Sequence, residues 1–131
     1  MATDSASTAL ARRAVAAYFA AIRAMNVQAF VAVFADNALT FDPDTAAPVE
    51  GHEELRAFFQ ARRSTFETLE QVEDAAFFAH EGAAVKWTGH GIRKGGGRVF
   101  FEGIDVFEVN EEGRIQTLWT YRDALPRPDS M

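Results

Sequence analysis

The sequence predicts an α+β domain in which helices come first and a sheet of antiparallel strands follows. Two observations carry that prediction. Apolar residues recur at three- and four-residue steps through three segments of the first half. In the second half they alternate with polar residues between glycine-containing turns. A third observation concerns the interior. Twelve Phe stand against two Trp and two Tyr, and so many rings without a hydrogen-bonding group suit a large apolar core or an apolar cavity.

The elements follow in order. Leu10, Ala14, Ala17, Tyr18, Ala21 and Met25 form one stripe, predicting a helix from Thr8 to Met25 with Ser7 or Thr8 as its N-cap. Val27, Phe30, Val31 and Phe34 predict a short second helix ending at Phe34. Asp36-Asn37 reads as a turn and Leu39 to Phe41 as a short strand, which Pro43 ends by forcing Asp42 into an extended conformation. Gly51 opens a third helix over residues 52–64, with Glu53 and Glu54 in the first turn, where negative charge is favoured. Strands are expected over 69–79, 82–93, 98–109 and 114–123. The Lys94-Gly95-Gly96-Gly97 segment lies between two strands with no helix behind it, so it reads as a hairpin and not as a phosphate loop. The expected organisation is a flexible N-terminus over 1–7, one domain over 8–125 and a flexible C-terminus over 126–131.

Composition excludes several functions. A formal net charge of −6 does not suit general nucleic-acid binding. The basic pairs Arg12-Arg13 and Arg62-Arg63 read as solvated helix faces. With no cysteine there is neither a disulfide framework nor thiolate chemistry. No apolar run approaches the roughly 18 residues of a membrane span, and the polar N-terminus does not resemble a secretion signal. A cytoplasmic protein without membrane or nucleic-acid partners is the expectation.

Three residues could carry chemistry. Alternation puts Asp105 on the face of Val99, Phe101, Phe107 and Val109, with Glu102 and Glu108 opposite. A carboxyl group among apolar residues is either held neutral, and so able to donate a hydrogen bond, or paired with a buried arginine or backbone group. Tyr18 faces inward from the first helix and needs a partner for its hydroxyl, as a core tyrosine or as a donor to substrate. Asp42, before Pro43, serves turn chemistry or a site. His52, His80 and His90 lack metal-ligand spacing.

Together these residues carry a family resemblance. The run from Tyr18 to Asn26, the segment from Phe34 through Asp42-Pro43, and the spacing between Tyr18 and Asp42 resemble the first part of bacterial ketosteroid isomerases. Gly51 with Glu54-Leu55-Arg56-Ala57-Phe58-Phe59 is similar to their third helix. Ile104-Asp105-Val106-Phe107, followed by Asn110 to Ile115, is similar to the strand and turn carrying their second oxyanion donor. Much of this pattern is shared by the broader SnoaL-like and nuclear transport factor 2-like superfamily. The resemblance implies a cone-shaped fold with three helices packed on a curved antiparallel sheet. It implies Asp42 as a general base, with Tyr18 and a neutral Asp105 as donors to a dienolate oxygen. Phe30, Phe34, Phe59, Phe101 and Trp119 would wall a pocket for a small apolar substrate, steroid or polyketide-like, with no metal or organic cofactor required. Phe34 and Phe59 stand where that family often has tyrosines, which thins the hydrogen-bond network behind Tyr18. Within the same fold the alternatives are a SnoaL-type cyclase or hydratase and a non-catalytic ligand-binding module. The resemblance further implies a homodimer through the exposed sheet face, where Phe100, Ile104 and Val106 mix with Glu102 and Glu108.

Overall fold

The computed structural model describes residues 5–122 and the backbone of 127–128. Of the two ends expected to be flexible, residues 1–4 and most of 126–131 lie outside the described residues. Helix α1 spans Ala6–Ala24, and its N-cap is Ser5, whose Oγ accepts from the Thr8 amide at 3.1 Å. The cap thus lies earlier than the expected Ser7 or Thr8, and Thr8 instead donates its hydroxyl to the His80 carbonyl at 2.9 Å. Met25 ends the helix in the left-handed conformation, φ 53°. The buried arc is wider than the expected stripe, for Ala11, Val15, Phe19 and Ile22 join Ala14, Tyr18 and Ala21. Ala17, expected inward, is exposed because it lies almost opposite Val15 on the helical wheel.

Asn26 caps α2 (Val27–Ala32), accepting from the Ala29 amide at 3.0 Å. This helix stops before Phe34, which opens strand β1 (Phe34–Phe41). Asp36 and Asn37 do not turn the chain. They sit exposed where the pairing of β1 with its neighbour shifts register between Phe34 and Leu39, so their turn preference is spent on a bulge. A two-residue strand β2 (Val49–Glu50), not expected from the sequence, pairs with Leu39 and Thr40. Helix α3 (Gly51–Thr65) follows at once. Gly51 takes φ +78°, and Glu54 reaches back to accept from the Glu50 amide at 2.9 Å.

Four long strands complete the chain: β3 (Phe66–Ala79), β4 (Gly82–Arg93), β5 (Arg98–Val109) and β6 (Ile115–Arg122). The order across the sheet is β2-β1-β6-β5-β4-β3. Every pairing is antiparallel except that of β1 with β6, which is parallel. A last strand β7 (Arg127–Pro128) pairs with Val99 and Phe100 of β5, beyond the stretch that β6 covers. Irregularities in β3 at Phe66/Thr68 and Glu73/Ala75 bend its edge of the sheet, and the three helices pack into the concave side. Large rings fill the space between, with Phe19, Phe34, Trp87 and Phe107 almost wholly buried. Two inward-facing glycines admit those rings. A Cβ on Gly103 would lie 2.8 Å from the Trp87 ring, and one on Gly89 would lie 2.6 Å from the Phe101 ring. Among the described residues no helix is long and apolar enough to cross a membrane.

Candidate functional site

Between the helices and the concave face lies a chamber of about 40 Å³. Tyr18 of α1, Phe30 of α2 and Phe59 of α3 form one side, while Trp87 of β4, Asp105 of β5 and Thr120 of β6 form the other. Asp42, just past the end of β1, also lines it, so the three residues singled out in the sequence share one space. Phe58, Arg62 and Arg122 line both this chamber and an outer groove of about 430 Å³, which Phe66 and Phe101 help to wall. Phe34 lies behind the chamber in a small adjoining space of about 20 Å³ with Tyr18 and Asp42.

Trp119 is a correction. In β6 the buried phase runs through Leu118, Thr120 and Arg122, because Thr120 pairs with Asp105 and Arg122 with Gly103. Trp119 therefore faces the other way and stacks on Phe41, with ring centroids 6.0 Å apart. Its size suggested a pocket wall; the strand's alternation puts it on the outer face.

Asp105 is 1% exposed and accepts from the Thr120 hydroxyl at 2.9 Å. Burial among apolar groups pushes its carboxyl up to about 7, against the opposing pull of that hydrogen bond and of the Trp87 indole N–H. The indole N–H favours the ionised form by proximity but lies outside hydrogen-bond geometry. Among the described residues it is the one buried side-chain polar atom without a partner. The hydrogen-bond partner of Asp105 is thus a hydroxyl. Arg122 acts on it only through its field.

Tyr18 is enclosed by ring edges from Phe19, Phe34 and Phe107 and by the tilted ring of Phe30. Burial first, then the nearby Asp105 charge, raises its hydroxyl well above the usual tyrosine value, so it remains a proton-bearing donor. No second tyrosine backs it.

Asp42 has a double life. Its Oδ1 accepts from the Asp44 amide at 2.9 Å and from Arg122 Nη2 at 3.0 Å. The first bond is the turn chemistry its place before Pro43 suggested. The second fixes the carboxylate in an ion pair whose arginine side chain is only 3% exposed. Arg122 also donates to Asp44 Oδ2 at 2.6 Å, and Arg62 stands 3.9 Å from Asp42 Oδ2. That leaves Oδ2 as the oxygen of Asp42 available to a ligand.

Sequence reasoning missed Arg62 and Arg122. Arg62, expected on a solvated face, turns inward and lies over the Phe58 ring at 5.0 Å. Its signal was present, since it stands three residues after Phe59 and four after Phe58 on the inward stripe of α3. Arg122 was equally in phase with Leu118. Among the described residues no group of three or more His, Cys, Asp or Glu could hold a metal ion.

SalBIII, an epoxide hydrolase/cyclase-like enzyme of pyran-ring formation in the polyether salinomycin, is structurally similar at TM-score 0.77 and 22% identity, covering 86% of this chain and 90% of its own. An LEH-like epoxide hydrolase of Mycobacterium tuberculosis is similar at TM-score 0.75 and 22% identity, covering 88% of this chain and 84% of its own. Another protein of that organism, solved in complex with estradiol-17beta-hemisuccinate, is similar at TM-score 0.77 and 19% identity, with 86% and 92% covered. At such identities the likeness is one of fold. No curated protein matches the sequence. The SnoaL-like domain family matches residues 15–118, from the middle of α1 to the middle of β6. By that match and by its helices on a curved sheet, the chain belongs to the SnoaL-like domain family of the nuclear transport factor 2-like superfamily.

Proposed function

We propose that the protein is an acid–base enzyme acting on a small, largely apolar molecule that carries oxygen functions. Asp42 would accept a proton, while Asp105 and Tyr18 would donate hydrogen bonds or a proton to a substrate oxygen. The observation that carries this reading is the opposed setting of two carboxyl groups in one chamber. Asp42 is paired with Arg122, whereas Asp105 is shut among apolar groups and pushed up to about 7. Carboxyl groups divided in this way divide the roles of base and acid.

The ion pair also selects among reactions. Shifting a double bond requires a base free to take a proton from one carbon and return it at a second. Asp42 Oδ1 is held from two sides, and a guanidinium stands near Oδ2. A carboxylate so pinned suits a transfer made at one fixed position, taking the proton of a water or alcohol as it attacks carbon. The reading best supported is therefore opening of an epoxide, by water or by a hydroxyl of the same molecule. The attacking oxygen forms a C–O bond as the epoxide C–O bond breaks. Asp42 takes the attacker's proton, and protonated Asp105 gives its proton to the departing oxygen. Proton exchange with solvent then restores both groups. Two structurally similar proteins are named for epoxide hydrolase or hydrolase/cyclase-like activity. The ketosteroid-isomerase reaction is the second reading, favoured by two proton-bearing donors, Tyr18 and Asp105, on one chamber.

A substrate panel separates them. Aryl and terpenoid epoxides, some bearing an internal hydroxyl, are followed by mass spectrometry for diol or cyclic ether, and a β,γ-unsaturated ketosteroid is followed by enone absorbance. Ring opening that falls at least about 10²-fold in Asp42→Asn, with the fold intact by circular dichroism, is the expected result. Enone formation without epoxide turnover transfers the assignment to the second reading, and turnover unchanged in Asp42→Asn sinks both. The proposal further includes a cytoplasmic homodimer assembled through the outer sheet face.

A further inference from the structure

The chain carries a formal charge of −6, yet the outer groove above the reaction chamber is lined by Arg62, Arg93 and Arg122 against a single carboxylate, Asp44. Arg122 is committed, with its bonds to Asp42 and Asp44. The other two make no hydrogen bond to a carboxylate among the described residues. Arg62 reaches Asp42 and Asp44 only at 3.9 and 3.8 Å, too long for hydrogen bonds. Arg93 rests over the Phe66 ring at 5.9 Å and, among the described residues, has no ion-pair partner. The rest of the wall is mostly apolar, with Phe58, Ala61, Phe66 and Phe101 beside Thr45 and Thr65.

Such a groove matches an amphipathic ligand, a flat apolar body against three rings and an anionic group under two arginines. Guanidinium forks take carboxylates in pairs of hydrogen bonds. Asp44 on the same rim makes a singly charged group a better match than a dianion. We propose that the outer groove binds the carboxylate end of the substrate through Arg62 and Arg93, so that the natural substrate is an oxygenated apolar carboxylic acid. This rests on the inner chamber being the reaction centre, with the carboxylate held at its mouth, where Arg62 lines both chamber and groove. A groove volume of about 430 Å³ falls within the range of ligand sites, roughly 300–1,000 Å³, whereas the chamber of about 40 Å³ does not. Most of the ligand's length must then lie in the groove.

Calorimetric titration of the intact protein with naphthylacetate, its methyl ester and naphthyl phosphate tests the inference without reference to turnover. The carboxylate is expected to bind about tenfold more tightly than the ester, an advantage that shrinks as salt rises. Arg93→Gln and Arg62→Gln should each erase most of that advantage, lowering affinity for the acid far more than affinity for the ester. Equal binding of acid and ester, an advantage surviving both substitutions, or tighter binding of the phosphate would each overturn it. Because only binding is read, an enzyme inactive on every epoxide and ketosteroid could still prefer the carboxylate. The groove assignment and the catalytic assignment thus fail separately.

Discussion

Asp105 shows at the level of one residue how a strand's alternation becomes chemistry. Its carboxyl is pushed up to about 7 in the folded chain, while in the unfolded chain it ionises near 4. Between those values the folded state holds a proton that the unfolded state has lost. Stability from this group is thus full below about pH 4, declines as pH rises, and is flat above about pH 7, a loss of up to about 4 kcal/mol. Asp105→Asn should remove that slope, measured as unfolding midpoint against pH. If Asp105 acts as the acid, wild-type activity should also fall as pH rises through 7, and activity constant to pH 9 would contradict that role. The residue was legible because alternation alone marked an acid on an apolar face. Arg122 obeyed the same rule in β6 but went unread. Trp119 beside it offered the bulk expected of a pocket wall, and arginine is rarely buried without a partner. Its partners Asp42 and Asp44 are about eighty residues away in the chain, and only the parallel pairing of β1 with β6 brings them together.

At the scale of elements, β4, β5 and β6 set the site by register. Thr120 opposite Asp105 provides a hydroxyl, and Gly103 opposite Arg122 provides space. A methyl group at Gly103 would lie 2.6 Å from the Tyr121 carbonyl and 2.9 Å from the Arg122 Cβ as well as against Trp87. Gly103→Ala is therefore expected to cost about 1–3 kcal/mol, read from denaturant unfolding. It should also impair catalysis by displacing Trp87 and Arg122 from the chamber; wild-type stability and turnover would show that the sheet yields there at no cost. The long strands were legible to within a few residues, most clearly β4 and β5, which alternate along 12 residues each. The short pieces were not. Two residues of β2 carry no period, and Asp36-Asn37 has the composition of a turn while serving as a bulge. Both depend on a neighbouring strand that local sequence does not reveal.

For the whole molecule, the sheet has two faces of unlike character. The concave face is spent on the helices and the chamber. On the convex face Ile104 is 44% and Tyr121 61% exposed, and they pair across β5 and β6 beside Val106 and Trp119. That band of apolar surface suits a two-fold partner. Sedimentation at micromolar concentration should give twice the chain mass, falling to the chain mass in Ile104→Arg. A monomer in the unaltered protein would refute the assembly. The general arrangement of helices before strands followed from two periodicities. The convex face, by contrast, could be named from sequence only as the side left over.

Phe58 stands on the boundary between groove and chamber and belongs to the walls of both. With so little room inside, a ligand's reacting end would gain space if that ring, lying beneath Arg62, turned aside. The speed of arrival at the carboxyl groups would then be set by the fraction of time the ring spends turned away, and not by how often ligands meet the protein. Two molecules held equally well by the outer arginines could still differ widely in turnover, according to whether their leading end can keep an aromatic side chain displaced.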